Sequence, residues 1–299
     1  MKVCILGDVM LDVYRHVAPR KLSQEAPVIV AQHAYDQYIP GGAANAAANC
    51  AALGAEAHLI GYIGYDNSAQ WLVKALQAMN VTNDCVTLAS WTTITKERIV
   101  DAATGHQFVR IDYEAADPVM QKCDSSVLVD RLKVAVQSCD CLFVSDYAKG
   151  TCRWIVGEAI ALFKAAGKFV IVNGKPINTM HYKLADVVTM NKHEWAQVTS
   201  KVSDVKALQG YMKNLLPGTT LIITCGPKPT IVLRPDAEPE MYACRKVDVA
   251  DVSGAGDTLA AVLAVRAGLS QRTIEEAVKI ATEVVQYKGT AVPQTRLLD

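Results

Sequence analysis

Asp251-Val252-Ser253-Gly254-Ala255-Gly256-Asp257-Thr258 follows a polar, charge-rich segment and runs straight into the apolar Leu259-Ala260-Ala261-Val262-Leu263-Ala264-Val265. That order predicts a small-residue turn opening a buried helix. Gly254, Ala255 and Gly256 would present bare backbone N–H groups at the helix's positive end, which favours phosphate or a developing oxyanion. Asp257 would sit in the first helical turn, its carboxylate beside the bound anion. An anion cradle with a carboxylate in the same turn suits removal of a proton from a hydroxyl that attacks a phosphoryl group. The plain alternative is a capped helix start, since Ser253 and Asp257 are ordinary residues near an N-terminus.

Outward from this turn, short β-rich runs alternate with helical patterns. Strands are expected at 2–6, 58–63, 141–145, 169–172, 186–190 and 221–224. Helices are expected at 43–53, 67–79, 125–137, 153–166, 194–199, 205–216, 257–267 and 273–287. Near-continuous apolar strands alternating with helices argue for an α/β, doubly wound, mainly parallel sheet with helices on both faces. Ligands gather at the carboxyl ends of such strands. Five strands end there in polar or glycine-bearing sequence: Gly7-Asp8, Asp146-Tyr147, Asn173-Gly174-Lys175, Asn191 with Glu194, and Cys225-Gly226. Two segments break the rhythm, near 13–38 and near 92–113, the second reading as strands 93–100 and 107–113. They predict a small β lid over the strand ends, whose exposed strands also invite a homodimer. The expected organisation is one domain, 1–299, carrying this lid.

Composition excludes several function classes. Lysine plus arginine equal aspartate plus glutamate at 30 each, so the clustered cations of a nucleic-acid surface are not expected. No apolar run reaches membrane-spanning length, and neither a signal peptide nor an anchor is expected. The nine cysteines are scattered, several within apolar segments, and Cys139 and Cys141 form CxC without a second pair at zinc spacing. Buried reduced thiols in a cytoplasmic protein are the expectation.

Gly41-Gly42-Ala43-Ala44-Asn45 opens the first long helix, and paired glycines let a ligand approach the backbone closely. Asn45 can offer a donor and an acceptor to sugar hydroxyls, and Asp8 and Asp12 after the first strand can accept from a polyol. The alternatives are tight helix–sheet packing for the glycines and a solvated loop for the aspartates.

In order along the chain, Gly7-Asp8, Gly41-Gly42 with Asn45, Asn191-Lys192-His193-Glu194 and Gly254-Ala255-Gly256-Asp257 resemble the ribokinase-like (PfkB) carbohydrate kinases. The resemblance covers nearly the whole chain. Longer stretches resemble the bacterial D-glycero-β-D-manno-heptose 7-phosphate kinases within that family: Gly7-Asp8-Val9-Met10-Leu11-Asp12, Glu25-Ala26-Pro27-Val28, Pro40 to Asn45, Thr95-Lys96, and Ser145-Asp146-Tyr147-Ala148-Lys149-Gly150. Many members of that group carry a fused nucleotidyltransferase domain. No HxGH motif occurs here, and a free-standing kinase is expected.

The resemblance implies a ribokinase-like fold and a phosphoryl transfer from ATP to a sugar hydroxyl. It makes Asp257 the catalytic base and the backbone of Gly254, Ala255 and Gly256 the anion hole. Asn191 and Glu194 would position Mg2+ through water. Thr224 and Gly226 would border the nucleotide, with Gly289 and Thr290 on the adenine side. Asp8, Asp12, Gly41, Gly42, Asn45 and Asp146 would face the sugar. Lys96, Arg98, Arg110, Lys149 and Lys175 are candidates for a phosphate already on that sugar. Charge alone points the same way, because a dianion beneath a lid needs several cations; the alternative for any one of them is solvation on a lid strand. A monovalent cation such as K+ is a further cofactor candidate. Asn173-Gly174-Lys175-Pro176 departs from the Asp-Pro-Lys-Gly usual in the heptose kinases, and the loop at Cys225-Gly226-Pro227 lacks a second glycine common in the family.

Other readings are a kinase of this type acting on ribose, fructose or a hexose phosphate, and a non-catalytic sugar-binding relative. A dinucleotide-dependent oxidoreductase would need GxGxxG after the first strand, where only Gly7 stands. A P-loop kinase would need GxxxxGK[ST], which the chain lacks.

Overall fold

A computed structural model of the chain describes residues 1–115, 125–199, 205–287, 289–294 and 296–297. The first half contributes β1 (Lys2–Gly7), β2 (Val9–Leu22), β3 (Ile29–Gly42), α1 (Ala43–Ala52), β4 (Glu56–Ile60), β5 (Tyr62–Gly64), α2 (Asn67–Ala78), β6 (Thr82–Asn83), β7 (Val86–Leu88), β8 (Ile94–Asp101), β9 (Gln107–Tyr113) and α3 (Ser126–Ser138). The second half contributes β10 (Cys141–Ser145), α4 (Val156–Ala165), β11 (Phe169–Asn173), β12 (Val187–Asn191), α5 (Lys192–Thr199), α6 (Val205–Leu215), β13 (Thr220–Cys225), β14 (Lys228–Leu233), β15 (Glu240–Tyr242), α7 (Ala255–Arg266) and α8 (Gln271–Val284). A 3-10 turn, Pro176–His181, lies between β11 and β12.

Nine strands form the main sheet in the order β15-β14-β13-β12-β11-β10-β1-β4-β6. Its ladders are parallel from β6 to β13, and β14 and β15 extend it antiparallel. Successive residues of a strand point to opposite faces, and both sets are apolar. Val3, Ile5, Phe143, Ile171 and Ile222 join Leu72 of α2, Leu259 and Leu263 of α7, and Ile274 of α8 in one core. Cys4, Leu6, Val144, Val172 and Ile223 join Leu132 of α3, Phe163 of α4, Trp195 of α5 and Met212 of α6 in the other. Two buried faces are what a near-continuous apolar strand requires. α7 is apolar on every side because it packs against α1, α8 and the strands beneath, and its nine residues from Asp257 to Val265 are all buried.

Two differences from the sequence expectation have physical causes. The single strand expected at 58–63 breaks at Gly61, where a Cβ would lie 2.5 Å from Val9 Cγ2 and 2.6 Å from the Gly7 carbonyl oxygen. The chain leaves the main sheet there, and β5 pairs with β7 instead. The edge strands β14 and β15 carry polar residues amid short apolar runs and were not anticipated.

The segments expected to form a lid build a separate four-stranded sheet, ordered β3-β2-β8-β9. Its register pairs Asp12 with Lys96 and Tyr14 with Arg98, and Arg98 with Arg110 and Lys96 with Asp112. Alternation therefore gathers Asp12, Tyr14, Lys96, Arg98, Arg110 and Asp112 on one face, and Arg15, Glu97, Val109, Ile111 and Tyr113 on the other. Among the described residues no helix is long and apolar enough to cross a membrane.

Candidate active site

α7 begins at an anion-ready turn. Gly254, its N-cap, has φ 84° and ψ −7°, a left-handed conformation that glycine adopts without Cβ strain. The amides of the first turn have no intrahelical acceptor, as at any helix start, and Gly254, Ala255 and Gly256 are only half-buried. The hydroxyl Oγ1 of Thr290 is buried without a partner among the described residues, and the Thr290 methyl lies 3.5 Å from the place a Cβ on Gly254 would take. The Ala255 amide reaches the Val252 carbonyl oxygen only at 3.5 Å, and an unpaired hydroxyl beside helix-start amides suits an anionic ligand.

Asp257, 1% exposed, sits in this first turn. Its Oδ2 accepts from Asn45 Nδ2 at 2.8 Å and from the Tyr147 hydroxyl at 2.8 Å, and its Oδ1 accepts from Asn173 Nδ2 at 2.9 Å. Burial pushes its pKa up, and these three donors and the Lys175 charge oppose the rise. The donors come from α1, the loop after β10 and the end of β11, so three separate connections converge on one carboxylate.

Three residues expected to face the sugar are turned into the protein. Asn45 is fully used, because Asn49 Nδ2 donates to its Oδ1 at 3.1 Å while Thr258 Oγ1 donates to Asn49 Oδ1 at 2.7 Å. It orients the base. Asp8 accepts from the amides of Tyr147 at 2.8 Å, Lys149 at 3.0 Å and Thr151 at 2.9 Å, and so fixes the loop that carries Tyr147. Asp146 accepts from the Ala148 amide at 2.7 Å, Asn178 Nδ2 at 2.8 Å and the Tyr182 hydroxyl at 2.6 Å. Strand-end carboxylates this deep are satisfied by the protein because unpaired burial is costly. Burial and then the Asp146 charge push Asp8 up to about 6.

Asp12 accepts from Arg98 at 2.6 Å, so these two predicted site residues neutralise each other. Gly41 leaves room for that pair, since a Cβ there would lie 2.6 Å from Asp12 Oδ2; one on Gly42 would lie 2.4 Å from the Asp8 carbonyl oxygen. Arg110 pairs with Asp112 at 2.8 Å and Lys149 with Glu114 at 2.6 Å. Lys96 has no carboxylate within ion-pair distance among the described residues, and its ammonium lies 5.8 Å from the Tyr147 ring centroid. Burial first, then the charges of Lys149 and Arg110, lower its pKa against the pull of Asp12 and Asp112. A half-buried cation without an ion-pair partner is a place for an anion.

The Lys175 ammonium forms an ion pair with Glu194 and stands 5.0 Å from the centroid of the same Tyr147 ring. Asn191 and Glu194 form a reciprocal capping box at the start of α5: the Glu194 amide donates to Asn191 Oδ1 at 2.9 Å, and the Asn191 amide donates to Glu194 Oε2 at 2.8 Å. These oxygens stand at the carboxyl end of β12, where hard oxygen donors suit a hydrated divalent ion.

Thr224 ends the regular ladder of β13, and Gly226, with φ 62°, has open space beside it. Gly289, with φ 77°, donates to Asp251 Oδ2 at 3.1 Å and lies near Tyr14 of the lid sheet. A cavity of about 670 Å³ between β15 and α8, lined by Glu240, Tyr242, Arg245, Glu275 and Lys279 among others, contains none of the predicted residues.

Within the segment 173–176, glycine at 174 has a steric reason. A Cβ on Gly174 would lie 2.5 Å from the Tyr182 ring, and the Tyr182 hydroxyl accepts from the Lys175 amide at 2.8 Å while donating to Asp146. Tyr182 was not anticipated, and neither were the contacts of Tyr147 and Asn173 with Asp257. The available signal was a tyrosine or asparagine at a strand end, which is common loop composition.

The family model described as pfkB family carbohydrate kinase matches residues 1–296. A curated protein of Gluconobacter oxydans, Bifunctional protein HldE, is 36% identical over 290 residues, which cover 94% of this chain and 59% of that protein. The chain thus spans somewhat over half the length of that relative. Among solved structures, an Arabidopsis thaliana ribokinase complexed with ribose and ATP superposes with a TM-score of 0.76 at 20% identity, covering 98% of this chain and 96% of that one. Phosphofructokinase-2 of Escherichia coli in complex with potassium gives a TM-score of 0.76 at 16% identity, covering 98% and 94%.

Proposed function

The chain belongs to the pfkB family of carbohydrate kinases, and from that premise we propose that it phosphorylates a sugar that already carries a phosphate, D-glycero-β-D-manno-heptose 7-phosphate, to the 1,7-bisphosphate. It is an ATP-dependent carbohydrate kinase with a ribokinase-like fold. The observation that carries the finer reading is the pairing of two environments: Asp257 in the first turn of α7, and Lys96 on the inner face of the lid sheet, half-buried and without an ion-pair partner among the described residues. The heptose-kinase resemblance and the 36% identical relative support the same acceptor.

In this mechanism the acceptor hydroxyl approaches the Asp257 carboxylate and gives up its proton late, as the new P–O bond forms, because a carboxylate is a weak base in the ground state. The amides of Gly254, Ala255 and Gly256 stabilise negative charge on the transferring group. Asn45 and Tyr147 hold the carboxylate in position. Lys175, tethered between Glu194 and Tyr147, serves charge on the phosphoryl side, and Lys96 with Lys149 and Arg110 receives the acceptor's own phosphate. Thr224, Gly226, Gly289 and Thr290 border the nucleotide. Mg2+, held through water by Asn191 and Glu194, would neutralise phosphate charge when bound. A monovalent cation such as K+ is a further requirement we propose, in line with the potassium complex of a structural neighbour.

A coupled assay of ADP release over heptose 7-phosphate, fructose 6-phosphate, ribose and fructose tests this reading. The expected result is the highest kcat/KM for heptose 7-phosphate by about tenfold or more, a margin worth about 1.4 kcal/mol of transition-state binding. Equal or better turnover of an unphosphorylated sugar would overturn the acceptor.

A further inference from the structure

Asn173 closes β11 and is held at both ends of its amide. Its Nδ2 donates to Asp257 Oδ1 at 2.9 Å, and its Oδ1 accepts from Thr189 Oγ1, on the neighbouring β12, at 3.2 Å. Strand register fixes this arrangement, because Asn173 and Thr189 are direct partners in the β11–β12 ladder and Thr189 is 2% exposed. An ionised carboxylate only accepts hydrogen bonds, so the NH2 end of the amide must face Asp257. An aspartate at this position would set a second carboxylate against Asp257. Two carboxylates at 2.9 Å could not both ionise and would share a proton.

We propose that Asn173 is a positioning residue that, locked by Thr189, holds Asp257 turned toward the acceptor and ionised. The inference rests on Asp257 being the base. The other titratable or charged groups bearing on Asp257 are Tyr147 after β10, Lys175 after β11 and Cys50 on α1. Tyr147 donates a hydrogen bond, Lys175 attracts the anion, and the Cys50 thiol is pushed above its usual range by burial and then by Asp257. None of them can replace a donor at Oδ1, where only Asn173 is placed among the described residues.

The test reads ionisation directly. The full chain is labelled with carbon-13 at aspartate carboxyls and titrated by NMR, with the Asp257 signal identified by its loss in Asp257→Asn. Asn173→Asp is expected to raise the Asp257 midpoint by about one pH unit or more and to give a two-step titration shared with the new carboxylate. Asn173→Ala and Thr189→Val should raise it by less and in the same direction, while Thr189→Ser restores the wild-type midpoint. With heptose 7-phosphate and ATP, the acid limb of kcat/KM should move together with the midpoint. A midpoint within about 0.3 unit of wild type in Asn173→Ala, Asn173→Asp and Thr189→Val would overturn the inference, since any lost charge-assisted hydrogen bond must register. Turnover surviving in Asp257→Asn would instead overturn the base assignment, whichever way the midpoints move.

Discussion

At the residue scale, the chemistry proposed here turns on one carboxylate with three donors. Asp257→Asn should lower kcat by about 10²–10⁴-fold while leaving ATP affinity within a factor of a few, checked by single-turnover kinetics and by nucleotide titration. Burial raises the pKa of Asp257, so kcat/KM should fall as pH drops through a value above the ordinary carboxylate range. A profile flat down to pH 4 would count against that. The cations divide into two groups with separate readouts. Lys96→Met should raise KM for the phosphorylated sugar about tenfold or more, whereas Lys175→Ala should lower kcat with a smaller change in sugar KM, as expected of ground-state and transition-state contacts respectively. Asp257 and its turn could be read from sequence because glycine, alanine and an acid before an apolar run are local signals. Asn173 and Tyr147 could not, because their shared partner lies 84 and 110 residues away. Asp8, Asn45 and Asp146 were expected to face the sugar; the fold gives the oxygens of Asp8 and Asp146 to amides and a hydroxyl, and ties Asn45 to Asp257 and Asn49.

At the element scale, the start of α7 depends on Gly254. Alanine there would force a Cβ into a left-handed residue and set it 3.0 Å from Asn45 Nδ2, pushing that amide off the base. Gly254→Ala should cost about 1–2 kcal/mol of stability and lose more activity than that loss explains, measured by denaturant unfolding alongside kcat. The loop after β10 hangs on Asp8, which gives it a pH signature. Asp8 titrates from 3.8 in the reference state to about 6 in the fold, so its contribution to stability is complete below 3.8 and is lost as pH rises through about 6. Asp8→Asn is less stable throughout, since its NH2 group meets main-chain donors. Its deficit relative to wild type should nevertheless narrow by on the order of 2 kcal/mol between about pH 4 and 6.5, and a constant deficit would refute the raised value. Elements with a clean period were legible: β10 has the expected bounds, and β1, β11, β12 and β13 differ from the sequence reading by one residue at one or both ends. The edge strands β14 and β15 were not, being short and antiparallel in a chain whose other strands follow a parallel rhythm. The break at Gly61 was hidden as well, because it follows from contacts with β1 and β2 rather than from its own neighbours.

At the scale of the whole molecule, the two sheets divide the labour. The nine-stranded sheet presents Asn173, Asn191 and the start of α7 at one edge, and the four-stranded sheet brings Lys96 and Arg98 on its inner face. Its outer face leaves Val109, Ile111 and Tyr113 between 41% and 48% exposed on the edge strand β9. We propose that a second copy covers this face, making the lid part of a dimer. Ile111→Glu should then shift sedimentation from a dimer toward the 32.3 kDa monomer, and a wild-type chain that sediments as a monomer at micromolar concentration would exclude it. The doubly wound core was legible because apolar runs and helices alternate along most of the chain; the pairing of the lid strands was not, since register between distant segments leaves no local trace. The interlock of Gly174 with Tyr182 bears on how this chain can be recombined with its relatives. A chimera whose crossover falls between those two positions would bring any larger residue at 174 from the other parent against the Tyr182 phenol. Viable hybrids should therefore inherit residues 173 to 182 as one block from a single parent.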